Sequence, residues 1–154
     1  MIKKTKLQVE AIKNGTVIDH IPATLGIKVL KLFQIDKTHH SVTIGLNLPS
    51  SALGKKDIIK IENVLITKDQ ANLLALYTQN ATINQIKDYE VSKKFQLTLP
   101  EKVNAVFSCP NSNCITHNEP VETSFNVICK NDILFLRCKY CEKVFSREIM
   151  AECN

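Results

Sequence analysis

The sequence predicts an α+β protein in two parts, a β-α-β-β-α-β unit over residues 1–100 and a small antiparallel β domain over residues 101–154. Strand-like alternation and helical periodicity follow one another in that order through the first part. All six cysteines lie in the second part. The charge divides at the same place: the first part has 14 lysines and 8 acidic residues, whereas the second has 6 basic and 7 acidic residues. Each part therefore has the composition of a separate domain.

Apolar periodicity predicts the first strand and the first helix. The segment "GTVIDHI" has the composition of a strand. After Pro22, which suits the first turn of a helix, the segment "PATLGIKVLKLFQ" repeats its apolar residues at helical spacing. The predicted buried face of this helix comprises Leu25, Val29, Leu32 and Phe33.

A hairpin, a second helix and a further strand complete the first unit. The segments "SVTIGLNL" and "KDIIKIEN" have the pattern of strands, and "NLPSSALGKK" between them has the Pro, Ser and Gly of a loop. Thr67 and Gln70 form a predicted capping box before a helix that buries Ala71, Leu74 and Tyr77. The segments "ATINQI" and "DYEVSKKFQL" return to strand-like composition. This order predicts a ferredoxin-like split βαβ arrangement with both helices on one face of the sheet.

The cysteines of the second part are spaced for a metal ion. Cys109 and Cys114 form a C-x4-C pair, Cys138 and Cys141 form a C-x2-C pair, and a predicted antiparallel hairpin joins them. A domain this small usually needs a disulfide or a bound metal for stability, because it buries little apolar surface. Four thiolates complete a tetrahedral zinc shell and leave no position for water. We therefore predict a zinc-ribbon-like domain with one structural zinc ion.

Other interpretations of the cysteines stay open at this point. Iron also binds four thiolates, although zinc is the default in a chain without another redox feature. Two unconnected pairs of core thiols would give the same spacing. Cys129 and Cys153 lie outside the pattern and are expected to be ordinary thiols, and His117 is expected at the surface.

Nucleic-acid binding is the alternative function for a zinc ribbon. It predicts basic residues clustered on the ribbon together with exposed aromatic rings. Here the ribbon part is net negative, and Phe125, Phe135 and Phe145 occupy strand positions typical of a core. A surface that binds another protein fits this charge better.

Polar residues interrupt the predicted strands of the basic first part. Lys60 lies within "IIKIE", Asn84 within "TINQI" and Lys94 at the end of "YEVSKK", while Asp19 and His20 are adjacent in "VIDHI". A solvated surface accounts for most of the lysines. Around one sheet, however, these residues can hold a phosphate chain and contact a base, because lysine binds phosphate as a point charge.

The motifs indicate a binding protein rather than an enzyme. The segment "LPSSALGKKD" lacks the first glycine and the hydroxyl residue of a phosphate-binding P-loop, and neither GxGxxG nor HExxH occurs. Asp19 and His20 are expected on opposite faces of their strand, so they would not form a catalytic dyad. A nucleotide-processing enzyme is the remaining alternative.

The compartment is predicted from the start of the chain and from its hydropathy. The segment "MIKKTKLQVEAIKNG" has lysines without the apolar run of a secretory signal. No stretch approaches the ~18 consecutive apolar residues of a membrane span. We expect a cytoplasmic protein, in which cysteines are more often metal ligands or free thiols than disulfides.

Four segments in this order resemble the regulatory chain of aspartate carbamoyltransferase: "KLQVEAIKNGTVIDHIPA", "IGLNLPS", "GKKDIIKIEN" and "CPNSNCITH…CKYCEK". The similarity extends over essentially the whole chain. It implies a non-catalytic subunit whose N-terminal domain (residues 1–100) dimerises and whose zinc domain (residues 101–154) bridges to catalytic trimers. It also implies binding of CTP, with ATP in competition and UTP as a further candidate, and control of the first committed step of pyrimidine synthesis.

The resemblance also implies roles for individual residues. Lys94 and His20 would contact the triphosphate, Lys60 the base carbonyl and the ribose, and Asp19 the ribose, while backbone groups of residues 9–12 and 89–91 would contact the base. The four cysteines correspond to the zinc ligands, and Asn111, Asn113 and Glu142 to positions near the catalytic-chain contact. The complete set of implied effector positions is Val9, Glu10, Ala11, Ile12, Asp19, His20, Lys60, Asn84, Ile86, Tyr89, Val91 and Lys94.

Overall fold

The computed structural model describes residues 11–153, which divide into two compact units. The first unit ends at Leu97 and the second begins at Thr98. Between residues 11 and 153, no helix is both long enough and apolar enough to cross a membrane.

An antiparallel sheet and two short helices form the first unit. In chain order its elements are β1 (Gly15–Pro22), α1 (Gly26–Leu32), β2 (Val42–Ser50), β3 (Gly54–Glu62), α2 (Lys68–Leu74), β4 (Thr82–Lys87) and β5 (Glu90–Phe95). The strand order across the sheet is β2-β3-β1-β4-β5. The predicted β-α-β-β-α-β arrangement is confirmed, and β5 adds one more strand beside β4 through a tight hairpin.

The core of the first unit lies between the sheet and its two helices. Ile18 of β1, Ile59 of β3 and Ile83 of β4 point to the same side and are fully buried against Val29 of α1 and Leu74 of α2. Each such side chain stabilises the fold by about 1.5–3 kcal/mol relative to exposure. Because side chains alternate along a strand, the residues that directly precede and follow each of these isoleucines lie on the opposite face of the sheet.

The two helices begin in different ways. α2 has the predicted capping box, in which the Gln70 amide donates to the Thr67 hydroxyl and the Thr67 amide donates to the Gln70 side chain. α1 begins later than predicted, at Gly26, because residues Pro22–Leu25 form a turn closed by a 3.1 Å hydrogen bond from the Leu25 amide to the Pro22 carbonyl. α1 thus lacks a side-chain N-cap of its own.

A β-bulge interrupts each strand that flanks β3. On β1, Asp19 and His20 together lie opposite the single residue Ile58, and on β2, Leu46 and Asn47 together lie opposite Asp57. His20 has φ 56° and Asn47 has φ 58°, both in the left-handed region. A bulge breaks the alternation of side chains, so residues beside it do not follow the simple two-face rule.

The second unit consists of short antiparallel strands around a small core. Its strands are β6 (Lys102–Asn104), β7 (Phe107–Ser108), β8 (Ser124–Lys130), β9 (Ile133–Cys138), β10 (Val144–Ser146) and β11 (Ala151–Glu152). They form a four-stranded sheet in the order β10-β9-β8-β6 and a two-stranded sheet of β11 and β7.

The aromatic residues of the second unit only partly follow the prediction. Phe125 is fully buried, as expected, whereas Phe135 and Phe145 are half-buried. Phe135 pairs with Ile128 and so lies on the face opposite to Phe125. Phe107, which the sequence pattern did not single out, is fully buried instead.

Candidate functional sites: a four-cysteine centre and a polar sheet face

The structure brings four cysteines together in the second unit. Cys109 follows β7, Cys114 precedes a 3-10 turn, Cys138 ends β9 and Cys141 lies in the tight connection to β10. Their sulfur atoms all lie within 4.8 Å of one another. The Cys109 and Cys141 sulfurs are 3.8 Å apart, and those of Cys114 and Cys138 are 3.7 Å apart.

These distances fit one tetrahedral zinc ion. With zinc–sulfur bonds of about 2.3 Å, tetrahedral geometry separates neighbouring sulfurs by about 3.8 Å. Cys109, Cys114 and Cys138 are buried, and Cys141 is half-buried. Four sulfur ligands complete the shell, so this centre is structural and leaves no coordination position for a substrate. The prediction of a single structural zinc is confirmed.

The electrostatics of the four thiols also favour a cation. Burial raises the pKa of Cys109 and of Cys138, because a thiolate loses its hydration there. Burial acts in the same direction on Cys114, but hydrogen bonds from the Thr116 hydroxyl and amide outweigh it and lower the pKa of Cys114 to about 7. Four thiolates at this spacing repel one another, and a bound divalent cation would offset that repulsion.

The two metal loops close through backbone hydrogen bonds. In the first loop the Cys114 amide donates to the Asn111 carbonyl at 3.0 Å, and in the second the Glu142 amide donates to the Cys138 carbonyl at 3.0 Å. The Asn113 amide donates to the Asn111 side chain at 3.1 Å. Asn113 and Glu142 are exposed and Asn111 is half-exposed. All three candidate contact residues thus lie on the metal loops.

The remaining candidate ligands lie outside the cluster. Cys129 and Cys153 are exposed thiols. His117 is exposed, and its Nε2 lies 2.8 Å from the Cys109 carbonyl oxygen, so the ring braces the first loop without joining the four sulfurs. These positions match the expectations for all three residues.

In the first unit, three predicted polar residues lie in one row across the sheet. Val17 of β1 pairs with Lys60 of β3 on one side and with Asn84 of β4 on the other, and Asn84 pairs in turn with Lys94 of β5. Directly paired residues of antiparallel strands share a face. This face, opposite the helices and carrying Lys60, Asn84 and Lys94, is called the polar face below.

The bulge on β1 corrects one expectation from the sequence. Asp19 and His20 were expected on opposite faces of a regular strand. In the structure the Asp19 carboxylate lies 2.9 Å from the Lys56 amine, and His20 Nδ1 lies 3.3 Å from the hydroxyl of Thr82, the residue that pairs with Asp19. Since Thr82 and Asp19 share a face, both members of the bulge contact groups of the polar face.

Lys56 is a polar-face residue that the sequence analysis missed. It lies four residues before Lys60 on β3, a spacing that places both on the same face. That spacing was the available signal. Burial lowers the pKa of Lys60, the Asp19 charge opposes this change, and the Lys56 charge adds to it. The polar face therefore concentrates positive charge beside one carboxylate.

The side chain of Asn84 has an unused acceptor. Its Oδ1 is inaccessible to solvent and has no hydrogen-bond partner among residues 11–153. Asn84 itself is half-buried in the middle of the row. A buried acceptor without a donor costs about 1–3 kcal/mol, which a ligand that donates a hydrogen bond there would recover.

The other implied effector residues surround one end of the polar face. Ile86 pairs with Val91, and the Tyr89 amide donates to the Lys13 carbonyl at 2.9 Å, so the β4–β5 turn adjoins the segment that precedes β1. That segment includes Ala11, which is exposed, and Ile12, which is buried. Tyr89 and Val91 are mostly exposed. Val9 and Glu10 lie outside the described residues.

Comparisons with known proteins agree over both units. Residues 7–98 match the family model described as the aspartate carbamoyltransferase regulatory chain, allosteric domain. Residues 101–151 match the model described as the metal binding domain of the same regulatory chain.

Curated relatives match over nearly their full length. An aspartate carbamoyltransferase regulatory chain of Photobacterium profundum is 70% identical over 154 residues, which is 100% of both chains. That of Vibrio parahaemolyticus is 68% identical over 152 residues, 99% of both chains. That of Aliivibrio fischeri is 64% identical over 154 residues, 100% of both chains. The chain belongs to the family of aspartate carbamoyltransferase regulatory chains, and the prediction of a regulatory rather than a catalytic subunit is confirmed.

Proposed function

We propose that the first unit binds nucleotide effectors, CTP and ATP, on its polar face, and that binding is transmitted as allosteric control to a catalytic chain. A nucleoside triphosphate carries several negative charges, and Lys56, Lys60 and Lys94 supply positive charge within one face. Asp19 can accept hydrogen bonds from ribose hydroxyls. The allosteric description of the family model for residues 7–98 supports the same assignment.

The observation that carries this proposal is the buried acceptor of Asn84. Asn84 Oδ1 has no partner among the described residues, although it lies between strands that carry Lys60 and Lys94. A hydroxyl or amino group of a nucleotide would satisfy it. A solvated lysine surface alone gives no reason for a desolvated, unpaired amide oxygen in its centre.

The remaining assignments follow from the regulatory role. We propose that residues 1–100 form the effector and dimerisation domain and residues 101–154 the domain that contacts the catalytic chain. β2 is an edge strand of the sheet, which leaves one side of it available to a second copy. Asn111, Asn113 and Glu142 lie on loops that zinc holds rigid, which suits a protein contact. We place the complex in the cytoplasm, where pyrimidine precursors are made.

Effector binding is tested by calorimetry on the full, zinc-loaded chain. We expect CTP and ATP to compete for one site per chain. Lys94→Ala should weaken CTP binding by about tenfold or more, because a charge-assisted contact to phosphate is lost. Lys68→Ala is the matched control, since Lys68 is an exposed lysine at the start of α2, away from the polar face. Equal losses in the two variants would indicate a general charge effect and contradict the proposed site.

Allosteric transmission is tested on the chain assembled with its own catalytic chain. Aspartate saturation curves recorded with and without CTP should differ in midpoint, since an effector can shift the equilibrium only by its different affinity for two states. If an assembled complex binds CTP but gives identical curves, the proposed effector site stands and the proposed allosteric role is contradicted.

A further inference from the structure

We propose that Asp57 is a positioning residue for the effector site, holding the β1 bulge that presents Asp19 and His20. The inference rests on the proposed nucleotide function of the polar face. Asp57 lies on the other side of the sheet: it belongs to β3, is fully buried and alternates with Ile58 and Lys60 of the same strand. It is therefore a titratable group that the effector site itself does not contact.

Both carboxylate oxygens of Asp57 accept backbone hydrogen bonds. Oδ2 accepts from the Gly26 amide at 2.8 Å, and Oδ1 accepts from the Asn47 amide at 2.9 Å. Burying a carboxylate is costly, and charge-assisted hydrogen bonds of this kind are what offset that cost. One side chain thus joins the first residue of α1 to the bulge of β2.

Gly26 is required for this close approach. A Cβ atom at position 26 would lie 2.7 Å from Asp57 Oδ2 and 2.9 Å from Asp57 Cβ. Real contacts are not that short, so any larger residue would displace the carboxylate. The position of the Asp57 carboxylate therefore depends on glycine at position 26. We call Asp57, Gly26 and Asn47 the β3 clamp.

The β3 clamp holds a segment with unfavourable backbone conformations. In the segment from the β1 bulge to Gly26, His20 of the bulge has φ 56° and Thr24 has φ 82°, and on the other side of β3 Asn47 has φ 58°. Residues other than glycine persist in such conformations only where the surrounding structure imposes them. Backbone pairing between β1 and β3 holds Ile21 opposite Asp57, and the β3 clamp holds Gly26. The segment from the β1 bulge to Gly26 is therefore restrained near both ends.

This restraint reaches the effector site through the bulge alone. The bulge directs both Asp19 and His20 toward groups of the polar face. Lys94, in contrast, is held by its direct pairing with Asn84 in the β4–β5 hairpin, which does not involve β3. Loss of the clamp should therefore weaken contacts made by Asp19 and His20 and leave those of Lys94 intact.

The sign of the effect separates positioning from simple electrostatics. Removing the negative charge of Asp57 would by itself strengthen binding of an anionic nucleotide. Losing the positions of Asp19 and His20 weakens that binding. Asp57→Asn keeps the shape of the side chain but replaces one acceptor oxygen with an NH₂ donor. The side chain then cannot accept hydrogen bonds from both the Gly26 and the Asn47 amides.

The experiment is a double-mutant cycle for CTP binding, measured by calorimetry on the full zinc-loaded chain. We expect Asp57→Asn to weaken binding by about tenfold, the equivalent of one good hydrogen bond. In a background that lacks both bulge side chains (Asp19→Ala with His20→Ala) Asp57→Asn should have little further effect, whereas in a Lys94→Ala background the full tenfold loss should remain. Asp36→Asn, an exposed carboxylate in the turn after α1, is the charge control and should not weaken binding.

Each outcome decides the inference. Equal losses in both backgrounds, or tighter binding by Asp57→Asn, would overturn it while leaving the effector site in place. An unmodified chain that binds neither CTP nor ATP would overturn the proposed function and this inference with it. If Asp57→Asn does not fold, Gly26→Ala displaces the carboxylate without removing its charge and should show the same dependence on Asp19 and His20.

Discussion

The two units of this chain reach stability by different means. Among the described residues, the first unit has a core cluster of 12 buried apolar residues between its sheet and helices. Apart from cysteines, the second unit as described to residue 153 buries five apolar residues, Val103, Phe107, Phe125, Leu136 and Met150. Of its four clustered cysteines, Cys138 pairs directly with the core residue Phe125. We therefore expect apolar burial to suffice for the first unit and the second unit to depend on its metal.

The same difference separates the kinds of surface that each unit offers. The polar face of the first unit takes its residues from β1, β3, β4 and β5, so its geometry depends on the register of a whole sheet. The metal loops of the second unit take theirs from two short segments fixed by one ion. In this proposal a large core supports a dispersed ligand site, and a metal supports a compact protein contact.

Zinc removal should have the largest effect and should act on one unit only. Structural zinc sites of this type contribute about 10–16 kcal/mol to folding. Treatment with a strong chelator or a mercurial should therefore expose the amides of β8 and β9 to hydrogen exchange while β1 and β3 stay protected. In the complete enzyme we expect the same treatment to release the catalytic trimers.

A pair of cysteine variants sharpens the zinc prediction. Cys138→Ser should lose zinc, and Cys129→Ser should retain one zinc per chain, because Cys129 is exposed and outside the cluster. Protected β8 and β9 amides in metal-free protein would show that the five-residue core suffices and would remove the contrast between the units.

A cavity in the first core should have the next largest effect. Ile59→Ala truncates a fully buried side chain in the centre of the sheet and should lower the free energy of unfolding by about 2–5 kcal/mol. Ile27→Ala, on the exposed side of α1 with 43% of its surface accessible, should change it by less than about 1 kcal/mol. Urea titration of both variants measures this, and a zinc content altered by Ile59→Ala would contradict independent stabilisation of the units.

Lys60 should make effector binding sensitive to alkaline pH. Burial lowers the pKa of Lys60, so this lysine loses its charge at a lower pH than the exposed lysines do. CTP affinity should fall as pH rises through that lowered pKa. Folding stability should change in the opposite sense, increasing between the lowered pKa and the ordinary lysine value, because the cost of burying the charge disappears first in the folded state.

Lys60→Arg provides the control for this pH dependence. Arginine keeps its charge throughout the accessible range, so the early loss of affinity should disappear. Calorimetric CTP titrations from about pH 7 to about pH 10 compare the two chains. An unchanged alkaline decrease in the arginine variant would assign the titration to another group.

Relief of one strained turn should have the smallest effect. Thr24 occupies the third position of the Pro22–Leu25 turn with φ 82°, a conformation that favours glycine. Thr24→Gly should stabilise the first unit by about 1 kcal/mol, a rise of several degrees in its melting temperature. Ala23→Gly, at the neighbouring position, should not stabilise it. If Thr24→Gly lowers the melting temperature, the turn is not strained.

Much of the fold follows from short-range patterns in the sequence. The capping box at Thr67 and Gln70 and the two cysteine pairs are confirmed, because each depends on residues within a few positions of one another. The sequence pattern predicts the start of α1 four residues too early. The first amide of α1, that of Gly26, donates to Asp57 of β3 rather than to a neighbouring side chain. Local motifs are predictable where local atoms satisfy them.

The sequence by itself determined the two-part organisation, the order of the elements and the four metal ligands. Only the tertiary structure decided that Lys60, Asn84 and Lys94 form one row. It also decided that a bulge brings Asp19 and His20 to the same face, where Asp19 forms an ion pair with Lys56. The physical reason is that strand register and bulges arise from pairing between distant segments. Periodicity within one strand predicts which residues share its face, but it does not predict which residues of the neighbouring strands lie beside them.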